Sequence, residues 1–393
     1  MNSTTAIILF IISLVAILSI SRKNLWIAII IGGIILSLAS NPISVIRQAI
    51  TKTIRPTILL LAIALAEVPL IGTILESDLL KLFNTLGTKK ATILGPATFG
   101  LLPIPGGAVL SCPIVDHSLH EKTDEDKVAA NIWFRHMLFL IYPLSSALIV
   151  STTIARIDII MVILYMLPLF IISIIVGVLY YLRDINGSMH DKDIEFNRKL
   201  LLPILLILLA PMIQIVLRVS GIDINVSTFI AVSIILLICV IYYRVRRKEL
   251  YTQAKRMKIW NFSLILLSII FYAEIFLLVS EFFIENIPIN IIFLSTLIPF
   301  ILGFLTGRVQ LTTTLVIPIV LSKVEFMSFG LFIMIYTTAL CGYLMSPAHP
   351  CLVLSSEYFK AKITDAIGRL LVPCILFALI GSIYGWMLHI YFC

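Results

Sequence analysis

Charge is scarce in this chain of 393 residues: Asp, Glu, Lys and Arg make up only 13% of it, about half the roughly 25% of an ordinary globular domain. Apolar residues make up 60%, and the mean hydropathy is +1.10. A soluble enzyme with so little polar surface would precipitate, and a disordered chain does not carry this apolar content. Heptads and short repeats are missing, which excludes a coiled coil or a fibre. The period-two alternation of a membrane β-barrel is missing as well; runs such as Ala6 to Ile20 and Leu200 to Met212 are continuously apolar. The six cysteines, Cys112, Cys239, Cys341, Cys351, Cys374 and Cys393, contain no CxxC, so disulfide or zinc spacing is absent and they read as small apolar residues. There is no GxxxxGK[ST], no HExxH and no paired aspartate of the intramembrane aspartyl protease kind, so the chain is expected to be no enzyme and to use no cofactor. The start, Met-Asn-Ser-Thr-Thr, lacks the charged region and cleavage site of a signal peptide, and the first apolar run is expected to be a retained helix.

What is present points to an all-α polytopic membrane protein. A spanning helix needs about 20 mostly apolar residues, and ten segments qualify: 5–20, 25–40, 57–79, 128–154, 157–182, 200–218, 226–244, 260–284, 328–357 and 366–391. Two further stretches, 91–115 and 290–321, are interrupted by Leu102-Pro103-Ile104-Pro105-Gly106-Gly107 and by Thr306-Gly307-Arg308-Val309-Gln310. A helix cannot pass through Pro-x-Pro-Gly-Gly without losing backbone hydrogen bonds, and irregular backbone at membrane depth survives only under a cover of protein or water. Both stretches therefore read as re-entrant hairpins. With the N-terminus outside, the cytoplasmic loops carry 21 of the Lys and Arg residues; the outer loops carry only Arg47, Lys52, Arg55, Arg156, Arg218 and Lys323. The bias places both termini outside, with the loop at 41–56 as a local exception.

The polar linker Arg183 to Lys199 divides the chain into residues 1–190 and 191–393, and landmarks recur across it. Ala66-Glu67 matches Ala273-Glu274 at an offset of 207, Gly100 matches Gly303 at 203, and Pro113-Ile114-Val115 matches Pro318-Ile319-Val320 at 205. Pro143 and Ser151 match Pro347 and Ser355 at 204. Five spans per half is an odd number, so the second half is expected to be inserted upside down. Inverted repeats with interrupted helices are the mark of secondary transporters, whose site lies at the repeat interface. The interruptions pair too: Tyr142-Pro143-Leu144-Ser145-Ser146 in one half, Ser346-Pro347-Ala348-His349-Pro350 in the other.

Leu102 to Ser111, and Gly342 to Leu354 with Glu357-Tyr358-Phe359 after it, resemble the two signature stretches of the prokaryotic membrane family catalogued as domain of unknown function 401. That family is grouped in the ion-transporter superfamily with carboxylate, citrate, gluconate and arsenite permeases. The resemblance covers most of the chain and implies an elevator-type carrier with a scaffold and a moving transport domain. Both tips depart from the Ser-Asn-Thr motif of the sodium–dicarboxylate branch, so neither sodium coupling nor a dicarboxylate is implied.

The expected substrate-binding set is Pro105, Gly106, Gly107, Ser111, Ser145, Ser146, Thr306, Gly307, Arg308, Thr312, Thr313, Ser346, Pro347, His349 and Pro350. Half-helix N-termini direct positive dipole ends at an anion, and an arginine beside hydroxyls suits a carboxylate or oxyanion because its planar fork bonds two oxygens. Arg308 equally suits capping of hairpin carbonyls, and His349 suits either substrate contact or a structural role. Glu67 and Glu274, expected near mid-depth, read as ion-coupling carboxylates or as structural groups paired with Arg135 or Arg308. Arg135 itself is expected to snorkel to the interface. The run Asp116 to Glu121 reads as a solvated turn, and no metal site is expected. The basic stretch Arg244 to Lys258 reads as a topology determinant or an anionic-lipid contact.

Together these features lead to a secondary transporter of a small anion in the prokaryotic cytoplasmic membrane, driven by protons or sodium. Its partners are the anion, the coupling ion and membrane lipids, with a homodimer left open and nucleic acid excluded. An oxyanion efflux permease served by a separate ATPase is the first alternative, and an intramembrane enzyme or scaffold the second. A nucleophile and base on facing spans would favour the enzyme.

Overall fold

The computed structural model describes residues 3–21, 23–83, 88–101, 107–183, 201–279 and 290–392. Among them the chain is all helix. The first half holds α1 (Ser3–Ser21), α2 (Leu25–Ser37), α3 (Pro42–Thr53), α4 (Pro56–Phe83), α5 (Thr88–Leu101), α6 (Gly107–Ser118), α7 (Asp124–His136), a 3-10 turn (Met137–Leu140), α8 (Ser146–Ala155) and α9 (Ile159–Tyr181). The second holds α10 (Leu202–Val219), α11 (Ile224–Tyr242), α12 (Arg247–Met257), α13 (Trp260–Val279), α14 (Ile291–Ser295), α15 (Leu297–Thr306), α16 (Val309–Leu321), α17 (Phe329–Leu344), α18 (Pro350–Phe359) and α19 (Ile363–Phe392). The starts of α4 and α13, of α8 and α18, and of α9 and α19 are each 204 residues apart.

Six described helices, α4, α9, α10, α11, α13 and α19, are long and apolar enough to cross a membrane. Only about a third of the apolar window of α9, α10 and α11 is buried within the protein, so these helices stand at the periphery with most of that apolar surface uncovered. Three of the shorter helices, α7, α16 and α17, are the inner ones. Every residue from Lys127 to His136 of α7 is buried, as is α16 from Leu311 to Val320 and α17 from Gly330 to Gly342. Helices this short and this covered are held by packing, since their length alone would leave them marginal.

Two stretches read from sequence as loops are helical. Within residues 41–56, Pro42–Thr53 form α3, started by Asn41, whose side chain accepts the Ser44 N–H, with Pro42 in the first turn. It buries Val45, Ala49 and Thr53, one residue per turn, and leaves Ile43, Ile50 and Ile54 exposed. The basic stretch forms α12, at whose start the Glu249 carboxylate accepts from the Arg246 backbone N–H at 3.2 Å and from its guanidinium Nε at 2.7 Å. The segment expected as a span from residue 128 begins four residues earlier, where Thr123 caps a first turn of Asp124, Glu125 and Asp126.

The two interrupted helices break where their prolines stand. α7 tightens to the 3-10 turn, unwinds through Ile141 to Ser145 and resumes as α8; α17 stops at Leu344 and resumes as α18 after Met345 to His349. The second hairpin is resolved into arms: α14 and α15 lead to Gly307, and α16 leads back. An additional break at Thr296 (φ −124, ψ −69) divides its first arm. Close helix crossings depend on glycine. A Cβ at Gly303 would collide with the Ala339 carbonyl, and one at Gly100 with the Arg135 carbonyl; both contacts link a hairpin arm to the leading half of a broken helix, 203 and 204 residues apart.

Candidate functional site

The breaks converge. A cavity of about 240 Å³ is lined by Gly100 and Leu101 of α5, Arg135 and His136 of α7, Phe139 to Ser146 in part, Val309 and Gln310 of α16, Tyr343 of α17 and Cys351 of α18, with Leu65, Val68 and Phe262 behind them. Three helices begin at this wall. α8 is preceded by Ser145, α16 by Arg308 and α18 by His349, and none of these three supplies a side-chain cap. The opening N–H groups of three helices are thereby left without the usual side-chain acceptor beside one cavity. Among the described residues, no Asp or Glu lines it.

An aromatic and imidazole cluster closes one side. The Tyr343 and His349 rings lie tilted at 35° with centroids 3.9 Å apart, and His136 meets both edge-on, at 4.8 Å from His349 and 5.2 Å from Tyr343. His136 Nδ1 lies 2.7 Å from the Ile132 carbonyl, an acceptor that needs the proton on Nδ1. Nε2 is then the acceptor for the Tyr343 hydroxyl at 3.1 Å. His349 is fully buried, and neither ring nitrogen has a hydrogen-bond partner; the Leu344 carbonyl interacts with the ring outside hydrogen-bond geometry. Arg135 and Arg308 both act electrostatically on Tyr343.

Two buried networks hold the half-helices in place, and they are related. Ser151 of α8 donates to Thr313 of α16 at 2.8 Å. Its counterpart Ser355 of α18 accepts from Asn131 at 2.9 Å, and Asn131 also accepts from Ser111 of α6 at 2.7 Å. Each half-helix is thus tied to the hairpin of the other half. Gln310 adds a second tie, donating to Ser146 at 3.2 Å.

The expected site residues separate accordingly. Ser145 and Ser146 line the cavity. Gly107 opens α6, while Pro105 and Gly106 lie outside the described residues. Ser111, Thr312 and Thr313 are buried with their hydroxyls engaged inside the protein. Thr306 joins Thr312 at 3.3 Å, and the Ser346 hydroxyl accepts the Ala348 N–H at 3.1 Å. Gly307 takes the left-handed conformation (φ 61) and lies against the Ala348 and His349 backbone. Pro347 and Pro350 are exposed beside this contact and are not part of the cavity wall. Arg308 is half-buried at the turn, where its backbone carbonyl accepts from Thr306 and Thr312.

Two expectations need correction. Arg135 is only 5% exposed and lines the cavity, and α7 is buried from Lys127 to His136, so its side chain is enclosed by protein. The two glutamates pair with neither Arg135 nor Arg308. Glu274 is held by Lys52 at 2.7 Å and Arg156 at 3.4 Å, beside a larger cavity of about 560 Å³ that Arg55, Asp223 and Asn225 also line. Lys52, one of the charges that broke the positive-inside pattern, therefore has a partner 222 residues away. Glu67 instead accepts from Ser233 of α11 at 2.8 Å. Of the run Asp116 to Glu121, Asp116 to Ser118 end α6 and Leu119 to Glu121 form the turn after it, with Lys127 on Asp116 at 2.7 Å.

The residues that sequence order did not bring forward are Asn131, His136, Gln310, Tyr343 and Cys351. Their signal was available for α7, where Asn131, Arg135 and His136 interrupt an otherwise apolar span. The second signature stretch lies at this site: Gly342 to Leu354 contributes Tyr343, His349 and Cys351. The model of a family described as a protein of unknown function (DUF401) matches residues 2–388. The chain belongs to that family. The match spans both halves and both interrupted helices, so the cavity lies wholly within the family's extent. No curated protein matches the chain.

Proposed function

We propose that this member of the family is a secondary active transporter of a small anion, an organic carboxylate or an inorganic oxyanion, in the prokaryotic cytoplasmic membrane. The observation that carries the reading is the meeting of three helix N-termini without side-chain caps, those of α8, α16 and α18, with Arg135 at a cavity that no carboxylate lines among the described residues. Each N-terminus presents roughly half a positive charge and, Pro350 aside, opening N–H groups without a side-chain cap, and a guanidinium adds a two-pronged donor. The summed field attracts an anion.

Transport, rather than simple binding, is supported by the position of the cavity at paired helix breaks whose elements recur at 204 residues. In this reading residues 1–190 and 191–393 are inverted repeats of an ion-transporter superfamily fold. There are about ten crossings, and α5–α6 and α14–α16 are the two re-entrant hairpins. The hairpins and broken helices form a domain that moves as an elevator against the peripheral helices, and both termini lie outside. The larger cavity beside Lys52, Arg55 and Arg156 serves as an outer vestibule. A proton or sodium gradient supplies the energy. Glu67, bonded to a single hydroxyl, is the coupling carboxylate; Glu274, already held by two cations, is a structural clasp.

A thermal-shift screen of the purified protein against carboxylates and oxyanions, at two pH values with and without sodium, tests the reading. An anion should stabilise the protein. Arg135→Ala should weaken its binding about tenfold to hundredfold, the equivalent of roughly 1.5–3 kcal/mol for a charged hydrogen bond, and Arg135→Lys should restore part of the loss. Preferred binding of a cation, or unchanged anion affinity in folded Arg135→Ala and Arg308→Ala proteins, would overturn it.

A further inference from the structure

His136, His349 and Cys351 present two imidazoles and a thiol whose candidate ligand atoms all lie within 4.8 Å of one another. They come from the two interrupted helices, at the end of α7 and the start of α18. Their juxtaposition brings a thiol opposite imidazoles on facing spans, the arrangement that sequence order did not display. A nucleophile needs one base. Here a second imidazole is present, and it is the anomalous one: His349 is completely buried, with no hydrogen bond to either ring nitrogen. A buried imidazole left unpaired is costly, and a bound ion removes that cost.

We infer that His136, His349 and Cys351 form a site for a monovalent thiophilic cation of the Cu(I) kind. Ligand type and surrounding charge together select the ion. A thiolate with two imidazoles suits soft or borderline metals over magnesium or calcium. A divalent ion with one thiolate would leave a net positive charge beside Arg135, Arg308 and the uncapped start of α18. A monovalent ion with the same thiolate is neutral, and Cys351 sits in the first turn of α18, facing the two imidazoles. Binding exchanges the thiol proton for the ion, the proton leaves to solvent, and no electron is transferred.

The remaining geometry is compatible. His136 is anchored through Nδ1–H on the Ile132 carbonyl, the outer bond that metal-binding histidines make, leaving Nε2 as the ligand atom. The Tyr343 hydroxyl that now donates to Nε2 turns away to stand beside the ion. Bonds of roughly 2.0–2.3 Å place three ligand atoms about 3.6 Å apart, so the set closes by about 1.2 Å, within reach of a rotamer change at Cys351. Cys351 lines the cavity and gives an ion its entry path.

The site is independent of the transport reading, because binding is measured with no anion present. The full chain carrying Cys393→Ser, purified in detergent and freed of metal, is titrated with Ag(I), the redox-inert probe, and with Cu(I) against a chromogenic Cu(I) chelator. One ion per chain is expected. Cys351→Ser should abolish binding, and His349→Ala should weaken it by more than the roughly 10–100-fold that outer-shell changes cost. Cys112→Ser, whose sulfur faces Asn131 and Ser355 instead, should leave it unchanged. Because the variants can misfold, the parent protein is also labelled with a maleimide and Cys351 is read by mass spectrometry; Ag(I) should protect it. Labelling of Cys351 unaffected by Ag(I), binding that survives Cys351→Ser, or tighter binding of Zn(II) than of Ag(I) would overturn the inference. Loss of anion binding with the metal site intact would sink the transport reading alone.

Discussion

Replacing Gly307 by alanine tests whether the turn of the second hairpin is locked to the broken helix beside it. Two costs add. The residue adopts φ 61 and ψ 30, a left-handed conformation that costs an L-residue with a Cβ roughly 1–2 kcal/mol. The new Cβ would also lie 2.7 Å from the Ala348 carbonyl carbon, 2.8 Å from its oxygen and 3.0 Å from His349 N. Ordinary contact begins near 3.4 Å, so one backbone must retreat by about 0.7 Å. All three obstructing atoms are main chain and cannot rotate aside, and overpacking of this kind costs about 1–3 kcal/mol. The sum is about 2–5 kcal/mol, and the displaced segment includes His349, so the site should loosen with the fold. Gly368→Ala is the internal standard. It sits in α19 with nothing within 4 Å of its Cβ, and helix propensity should make it neutral or stabilising by up to about 1 kcal/mol. Thermal unfolding of both proteins in one detergent, with Ag(I) and anion titrations beside it, reads the difference. A Gly307→Ala protein melting with the wild type, or melting no lower than Gly368→Ala, would refute the contact and the strain together.

Asn131→Ala should strip the bonds to Ser111 and Ser355 and lower stability by about 1–3 kcal/mol for each buried group left unpaired, visible as an earlier melt. Glu274→Gln should cost less than about 1 kcal/mol, because Lys52 and Arg156 are partly exposed and screened; its melting difference from wild type should shrink as salt rises, and a salt-independent difference would show a buried role. Burial works against the charge of Lys127, but the hydrogen bond and charge of Asp116, with Asp124 behind them, outweigh it and raise the lysine above its ordinary 10.5. A raised lysine contributes fully below its unfolded value and loses that contribution as pH climbs through its folded value. Lys127→Met should therefore show a constant stability deficit from pH 6 to about 10 that narrows above it; a deficit confined to acid would refute the pairing.

The helical class, the two proline breaks and the split of residues 290–321 into arms were legible because proline and glycine act on their own backbone. Helix ends were less so: α7 starts at Asp124 since the Thr123 cap and its acidic turn outweigh the low hydropathy there. Long-range pairing was out of reach. Nothing near Glu274 in the chain points to Lys52 or Arg156, and a charge in an apolar run looks alike whether it lines a cavity or is clasped at the end of a helix. Arg135 misled for a related reason, as the distance to a helix end says nothing about what covers that end. His136 was hidden by its neighbours, because its role depends on Tyr343 and His349 arriving from the other half.

The two half-helices α8 and α18 are each ten residues long, or about 15 Å, half of a hydrocarbon core of about 30 Å. Both end in a basic residue in the left-handed conformation, Arg156 at φ 57 and Lys360 at φ 56. In the inverted arrangement proposed above, each is a measuring rod laid inward from one membrane surface, its foot fixed by a cation at the headgroups. The two rods together equal one bilayer thickness, so their tips meet. A thicker membrane draws the feet apart and the tips with them; a thinner one drives the tips past each other. The distance from Ser146 to Cys351 is then a gauge of the surrounding lipid, and the chain should work best within a narrow range of acyl-chain lengths.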